Sequence, residues 1–76
     1  MNALAKLIKL HRKKAGLTQK QLADLASLGK TVIFDIEKGK ETIQFRSLLL
    51  VLNVLNLKLK VESSLLQKSE VINEES

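Results

Sequence analysis

Three residues do most to limit what this chain can become. Ser27-Leu28-Gly29 separates two short segments of helical character, and so brief a break permits only a sharp corner between helices. Before it, Thr18-Gln19-Lys20-Gln21 has the form of a capping box, in which the Thr18 hydroxyl accepts from the Gln21 amide and the Gln21 side chain reaches back to the Thr18 amide. Losing such a cap costs about 1 kcal/mol. Leu22, Ala23, Leu25 and Ala26 follow as a compact apolar face, with Ala23 small enough for a neighbouring helix to come close. After the break, Lys30 to Lys38 reads as a helix with Ile33, Ile36 and Val32 inward and Lys30, Thr31, Phe34 and Asp35 outward. Gly39 closes it.

The flanking segments are expected to complete an all-α domain of four to five helices. Asn2 to Lys14 carries Leu4 and Ile8, with Ala15 beyond, near the helical period, and leaves Lys6, Lys9, Lys13 and Lys14 in water. Gly16 ends that helix in the left-handed conformation. Lys40-Glu41-Thr42-Ile43 loops to a fourth helix that runs from Gln44 or Phe45 to Asn56. Its Leu48, Leu49, Val51, Leu52, Val54 and Leu55 exceed what one small core can absorb, which predicts contact with another subunit. The period then changes. Leu57-Lys58-Leu59-Lys60-Val61-Glu62 alternates strictly, as a strand about 20 Å long with Leu57, Leu59 and Val61 on one face. A single strand leaves its backbone groups unpaired, and the sequence offers no second candidate. Its natural partner is the same strand of a second copy, so Leu57, Leu59 and Val61 are expected to carry homodimerisation. Residues 1–62 form the domain on this reading and 63–76 a flexible acidic tail; Leu65, Leu66, Val71 and Ile72 could alternatively make a weak amphipathic turn against a partner.

Composition narrows the function. Seventy-six residues suffice for one domain, and at that size only about 60% of the unfolded chain's surface can be buried. Cysteine is absent, so neither a disulfide nor a thiolate metal site can reinforce it. Charged residues interrupt every apolar run before it reaches membrane-spanning length, and the N-terminus lacks the pattern of a secretory signal. The expectation is a soluble, cytoplasmic protein. The net charge of +5 is unevenly spread: residues 1–62 carry twelve Lys and Arg against five Asp and Glu, and 63–76 carry one against three. A basic body suits a polyanionic partner, although the same charge also serves solubility. His11, the sole histidine, has no carboxylate or cysteine at metal-ligand spacing. Ser63 and Ser64 have no accompanying base, and no glycine-rich phosphate loop occurs, so neither catalysis, metal nor cofactor is expected.

Two short helices at a tight corner let the second enter the major groove, about 12 Å wide. That needs small residues at the crossing, met by Ala23, Ala26 and Ile33, and polar residues on the outer face, met by Lys30 and Thr31. Here Gly16-Leu17-Thr18-Gln19-Lys20-Gln21-Leu22-Ala23, with Ile36-Glu37-Lys38-Gly39-Lys40 downstream, resembles the phage-repressor (XRE) helix-turn-helix family, and the match spans residues 4–56. The stretch Glu37 to Thr42, followed by Leu49 to Leu59, is similar to the HipB-type antitoxin branch. The resemblance implies a lambda-repressor-like fold, a C-terminal strand paired across a homodimer, repression of the antitoxin's own operon, and binding of a HipA-type kinase toxin.

Carried over by position, the resemblance implies that Gln19, Lys38 and Lys40 contact DNA phosphates, and that Lys30, Thr31 and Phe34 face base edges. It also implies an ion pair between Arg12 and Glu37 that ties the first helix to the third. Lys30 is suited to guanine O6 and N7, a contact that discriminates bases by about 1–3 kcal/mol. Thr31 could touch a thymine methyl or a phosphate. Phe34 either presses on a thymine methyl or fills a gap at the core edge. Asp35 either pairs with a lysine or accepts from cytosine. The chain departs from the wider family at Gly29, where Ser or Thr would cap the helix better, at Phe34, where a small polar residue is common, and at Glu41, where proline is common. The partner on this reading is double-stranded DNA bearing a near-palindromic operator. A free-standing repressor without a toxin, and a protein-interaction module that hardly touches DNA, are the alternatives.

Overall fold

The computed structural model describes residues 2–61 and 63. Four helices follow one another: α1 (Ala3–Lys14), α2 (Gln19–Ala26), α3 (Lys30–Glu37) and α4 (Phe45–Val54). α2 packs against both α3 and α4, and α1 lies on α3. The architecture is the all-α, lambda-repressor-like helix-turn-helix fold. No helix among the described residues is long and apolar enough to cross a membrane.

The helix starts differ in quality. Asn2 caps α1, its Oδ1 accepting from the Ala5 N–H at 2.7 Å. At α2 the capping box is complete, with Gln21 N–H donating to Thr18 Oγ1 at 3.0 Å and Thr18 N–H to Gln21 Oε1 at 2.8 Å. Gly29 and Gln44 stand at the caps of α3 and α4 without a side-chain bond. The helix that enters on Gly29 therefore depends on packing to hold its first turn.

All four described helices close in one way. A residue in the left-handed conformation follows each, namely Gly16, Ser27, Gly39 and Asn56, at φ of 75°, 59°, 84° and 59°. Each donates its N–H three residues back, and the next residue donates five residues back, which is the Schellman pattern. Leu17 N–H thus reaches the Arg12 carbonyl at 3.1 Å, Leu28 reaches Ala23 at 2.8 Å, Lys40 reaches Asp35 at 3.0 Å and Leu57 reaches Leu52 at 2.9 Å. The glycines adopt this conformation without a Cβ penalty, whereas Ser27 bears one. The fourth helix accordingly ends at Val54 rather than at Asn56, because Asn56 is itself the left-handed turn.

The core joins Ile8, Leu22, Ala23, Ala26, Ile33, Ile36, Val51 and Leu52. Ile33 and Ile36 are inward as the sequence indicates, and Val32 is half-buried. Two assignments on the apolar faces change. Leu25 is 61% exposed, because Leu22, Ala23 and Ala26 define the buried arc and Leu25 falls beside it. Ala15 is exposed at the C-cap, while Ala5 takes the buried place on α1 beside Ile8. On α4, Val51 and Leu52 are buried but Phe45 and Leu49 are 60% and 42% exposed. That helix has more apolar surface than this single chain covers.

After α4 the environment of the alternating residues divides. Leu57 is half-buried against the core and its N–H closes the helix. Leu59 and Val61 are exposed, and residues 57–61 belong to neither helix nor strand in the single chain. Glu62 and residues 64–76, with the apolar positions of the acidic tail, lie outside the described residues.

Candidate nucleic-acid interface

Burial sorts the faces of α3. Ile33, Ile36 and Glu37 are inside, while Lys30, Thr31 and Phe34 lie on the exposed face. The spacing 30, 31, 34 is one turn of helix, so the three side chains form a single outward patch at its N-terminal half. The corner that presents them is held from both ends. Ser27 takes the left-handed turn, and Leu28 is packed against the core.

Just past the C-terminal end of α3 stand two lysines, Lys38 at the cap and Lys40 after the Gly39 turn. Lys38 Nζ stands 5.1 Å from the centroid of the Phe34 ring, within the range of a cation–π contact. Lys40 Nζ lies 3.5 Å from Asp35 Oδ2. Of the two roles open to Asp35, the lysine pair is the one formed within the chain. Phe34 is exposed and carries a cation on its ring, so it does not fill the core edge.

Beneath this surface lies a polar cluster. Arg12 Nε donates to Glu37 Oε2 at 2.6 Å and Arg12 Nη2 to Glu37 Oε1 at 3.0 Å, a bidentate pair. Both residues are buried. Arg12 Nη1 donates to the Leu17 carbonyl at 2.8 Å. The family ion pair is therefore present and reaches further than a link between two helices, since Leu17 belongs to the turn that leads into α2. Burial by itself pushes the Glu37 carboxyl upward, but hydrogen bonds from Arg12 and Gln19, with the charges of Arg12 and Lys9, outweigh it and hold the group below the ordinary glutamate range.

Gln19, which the resemblance implies as a phosphate contact, also joins this cluster through a bond that sequence reasoning missed. Its Nε2 donates to Glu37 Oε1 at 3.1 Å. The amide has two N–H groups, so one bond to Glu37 leaves a donor for an outside acceptor. Gln19 and Glu37 are eighteen residues apart and share no local pattern, so only the tertiary fold pairs them. Its consequence is positional: the first residue of α2, the last of α3 and the end of α1 are tied through one carboxylate. Lys20 and Asp24 form an exposed pair at 3.1 Å on α2, away from this cluster's buried bonds. Among the described residues no group of His, Cys, Asp and Glu is arranged to hold a metal ion.

A helix-turn-helix family model matches residues 8–61. Among solved structures, a chain described as "MDT Protein" aligns over 80% of this chain and 86% of its own, with 24% identity and a TM-score of 0.72. A chain from "Structure of HipA-HipB-O2-O3 complex" aligns with the same coverage, identity and TM-score. At that identity the likeness speaks for the fold. No curated protein sequence matches the chain at a significant level.

Proposed function

From the premise that the chain belongs to the XRE-type helix-turn-helix family, we propose that it is a DNA-binding repressor serving as the antitoxin of a type II toxin–antitoxin module. It represses its own operon and binds a HipA-type kinase toxin. The observation that carries the DNA-binding reading is the exposed patch of Lys30, Thr31 and Phe34 on a helix whose opposite face is sealed into the core. Lys38 and Lys40 flank that helix, and Gln19, at the start of α2, is held at a fixed distance from it through Glu37. In this reading α3 enters the major groove, Lys30 and Thr31 meet base edges with Phe34 beside them, and Gln19, Lys38 and Lys40 grip phosphates. The likeness to a chain from a structure whose description names HipA and HipB favours the toxin partner.

The operator is read by a homodimer. The exposed Phe45 and Leu49 on α4 and the exposed Leu59 and Val61 beyond it support this, because together they leave apolar surface that a second copy can cover. Paired recognition helices then demand half-sites about 34 Å apart, or a multiple of that, on a near-palindromic sequence. Selection from a randomised duplex pool tests the whole reading. The expected product is an inverted repeat with that spacing, bound less tightly as salt rises, with a log–log slope of about −0.9 per phosphate neutralised. A pool that remains random, or an affinity indifferent to salt, overturns the proposal. Co-purification with a kinase at fixed stoichiometry is the test of the toxin partner; recovery of DNA alone would leave a free-standing repressor.

A further inference from the structure

At three of the four described helix closures, the residue after the left-handed turn is a leucine: Leu17, Leu28 and Leu57 each lie half-buried against the core. An apolar contact at this position is the usual companion of the Schellman pattern. The closure of α3 departs from it. Its equivalent residue is Lys40, exposed, with its backbone N–H on the Asp35 carbonyl at 3.0 Å and its Nζ 3.5 Å from the Asp35 carboxylate. The turn has already brought the two residues together, so little chain entropy is lost in pairing their side chains. The pair joins the element that carries the exposed patch to the turn that closes it.

We infer that Asp35 is a specificity-determining residue that acts through Lys40. The inference rests on the DNA-binding reading and assigns Asp35 a part in it. For Lys40 to commit its ammonium to a phosphate, its 3.5 Å ion pair must be weakened or given up, and on a duplex of arbitrary sequence the carboxylate is then left beside a polyanion. Non-specific binding is weakened accordingly. A sequence that places a cytosine amino group within reach of Asp35 supplies the carboxylate with a new donor, and Lys40 then turns to phosphate with no net loss of pairing. One carboxylate thus links a base-edge contact to a backbone contact, and the gap between correct and arbitrary sequences widens.

The test is a double-mutant cycle with Asp35→Asn and Lys40→Gln, read by fluorescence anisotropy on a mixed-sequence duplex across a salt series. Asp35→Asn is expected to tighten binding about two- to fivefold, the span of an exposed ion pair. It should also steepen the salt slope by up to about one counterion. In the Lys40→Gln background the tightening should largely disappear. Equal tightening in both backgrounds would mean that Asp35 merely adds negative charge near DNA, and would overturn the assignment; so would an Asp35→Asn variant with wild-type affinity. A wild-type chain that binds no duplex even at low salt removes the DNA-binding reading, and this inference with it. Melting curves of the variants establish that each is folded, which an exposed Lys40→Gln and a near-isosteric change at the half-buried Asp35 should permit.

Discussion

The buried carboxylate of Glu37 is where a single atom group, accepting from Arg12 and Gln19, ties three helices together. Its proton affinity is lowered in the folded chain, so the unfolded state binds more protons in acid and stability is lost as the pH is lowered. Its contribution is whole above the ordinary glutamate value of 4.5 and is lost as pH drops below that, through the lower native value. Glu37→Gln should therefore flatten the acid limb of the stability curve, followed by urea unfolding at pH 3 to 7. An unchanged limb would mean that other carboxylates dominate it. Truncating the other partner is more severe: Arg12→Ala leaves a buried, unpaired carboxylate and should cost about 3–5 kcal/mol in denaturant titration. A loss below about 1 kcal/mol would show the pair to be wet. The sequence motif was enough to imply Arg12 with Glu37, because a short family pattern fixes both positions. It could not imply Gln19 with Glu37, since that bond arises only when the α2 start meets the α3 end.

Among the elements, the starts were more legible than the ends. A side-chain cap is written in local residue types, and Thr18 with Gln21 forms the box their spacing predicts. Closure by a backbone turn is written clearly only where glycine stands, as at Gly16 and Gly39. Ser27 and Asn56 take the same conformation without advertising it. That is why α4 reads two residues too long in the sequence. Ser27 also provides a simple test of the account. Ser27→Gly removes the left-handed penalty while enlarging the unfolded ensemble, and a net gain of about 0.5–1 kcal/mol is expected. That is several degrees of Tm for a domain of this size. A variant that melts at or below the wild-type temperature would show that Ser27 does more than turn the chain.

For the molecule as a whole, the four-helix core followed from the order of apolar periods, but its outer limits did not. Leu25 and Leu49 match helical periodicity as well as their buried neighbours do, and periodicity alone does not locate the edge of a core arc. Assembly belongs to this scale too. Leu59→Glu with Val61→Glu removes apolar surface that one chain leaves uncovered. Sedimentation at micromolar concentration should show a dimer for the wild type and a monomer for this variant, with helical content retained. An unshifted variant would place the interface elsewhere; a monomeric wild type would remove it. Because Leu57 already gives its N–H to α4, that group does not serve a ladder with a second copy while the helix closure holds.

The four backbone closures have a consequence for what such a scaffold can tolerate. Carbonyls and amides fasten the corners, and the side chains of Lys30, Thr31 and Phe34 take no part in those bonds. The lettering on that exposed face can be rewritten without disturbing the binding of the book. The Asp35–Lys40 pair joins the two, since its backbone bond closes α3 and its side chains meet beside that face. A lineage of such proteins could therefore drift rapidly from one DNA sequence to another while keeping the same frame, with that one pair as the slowest letter to change.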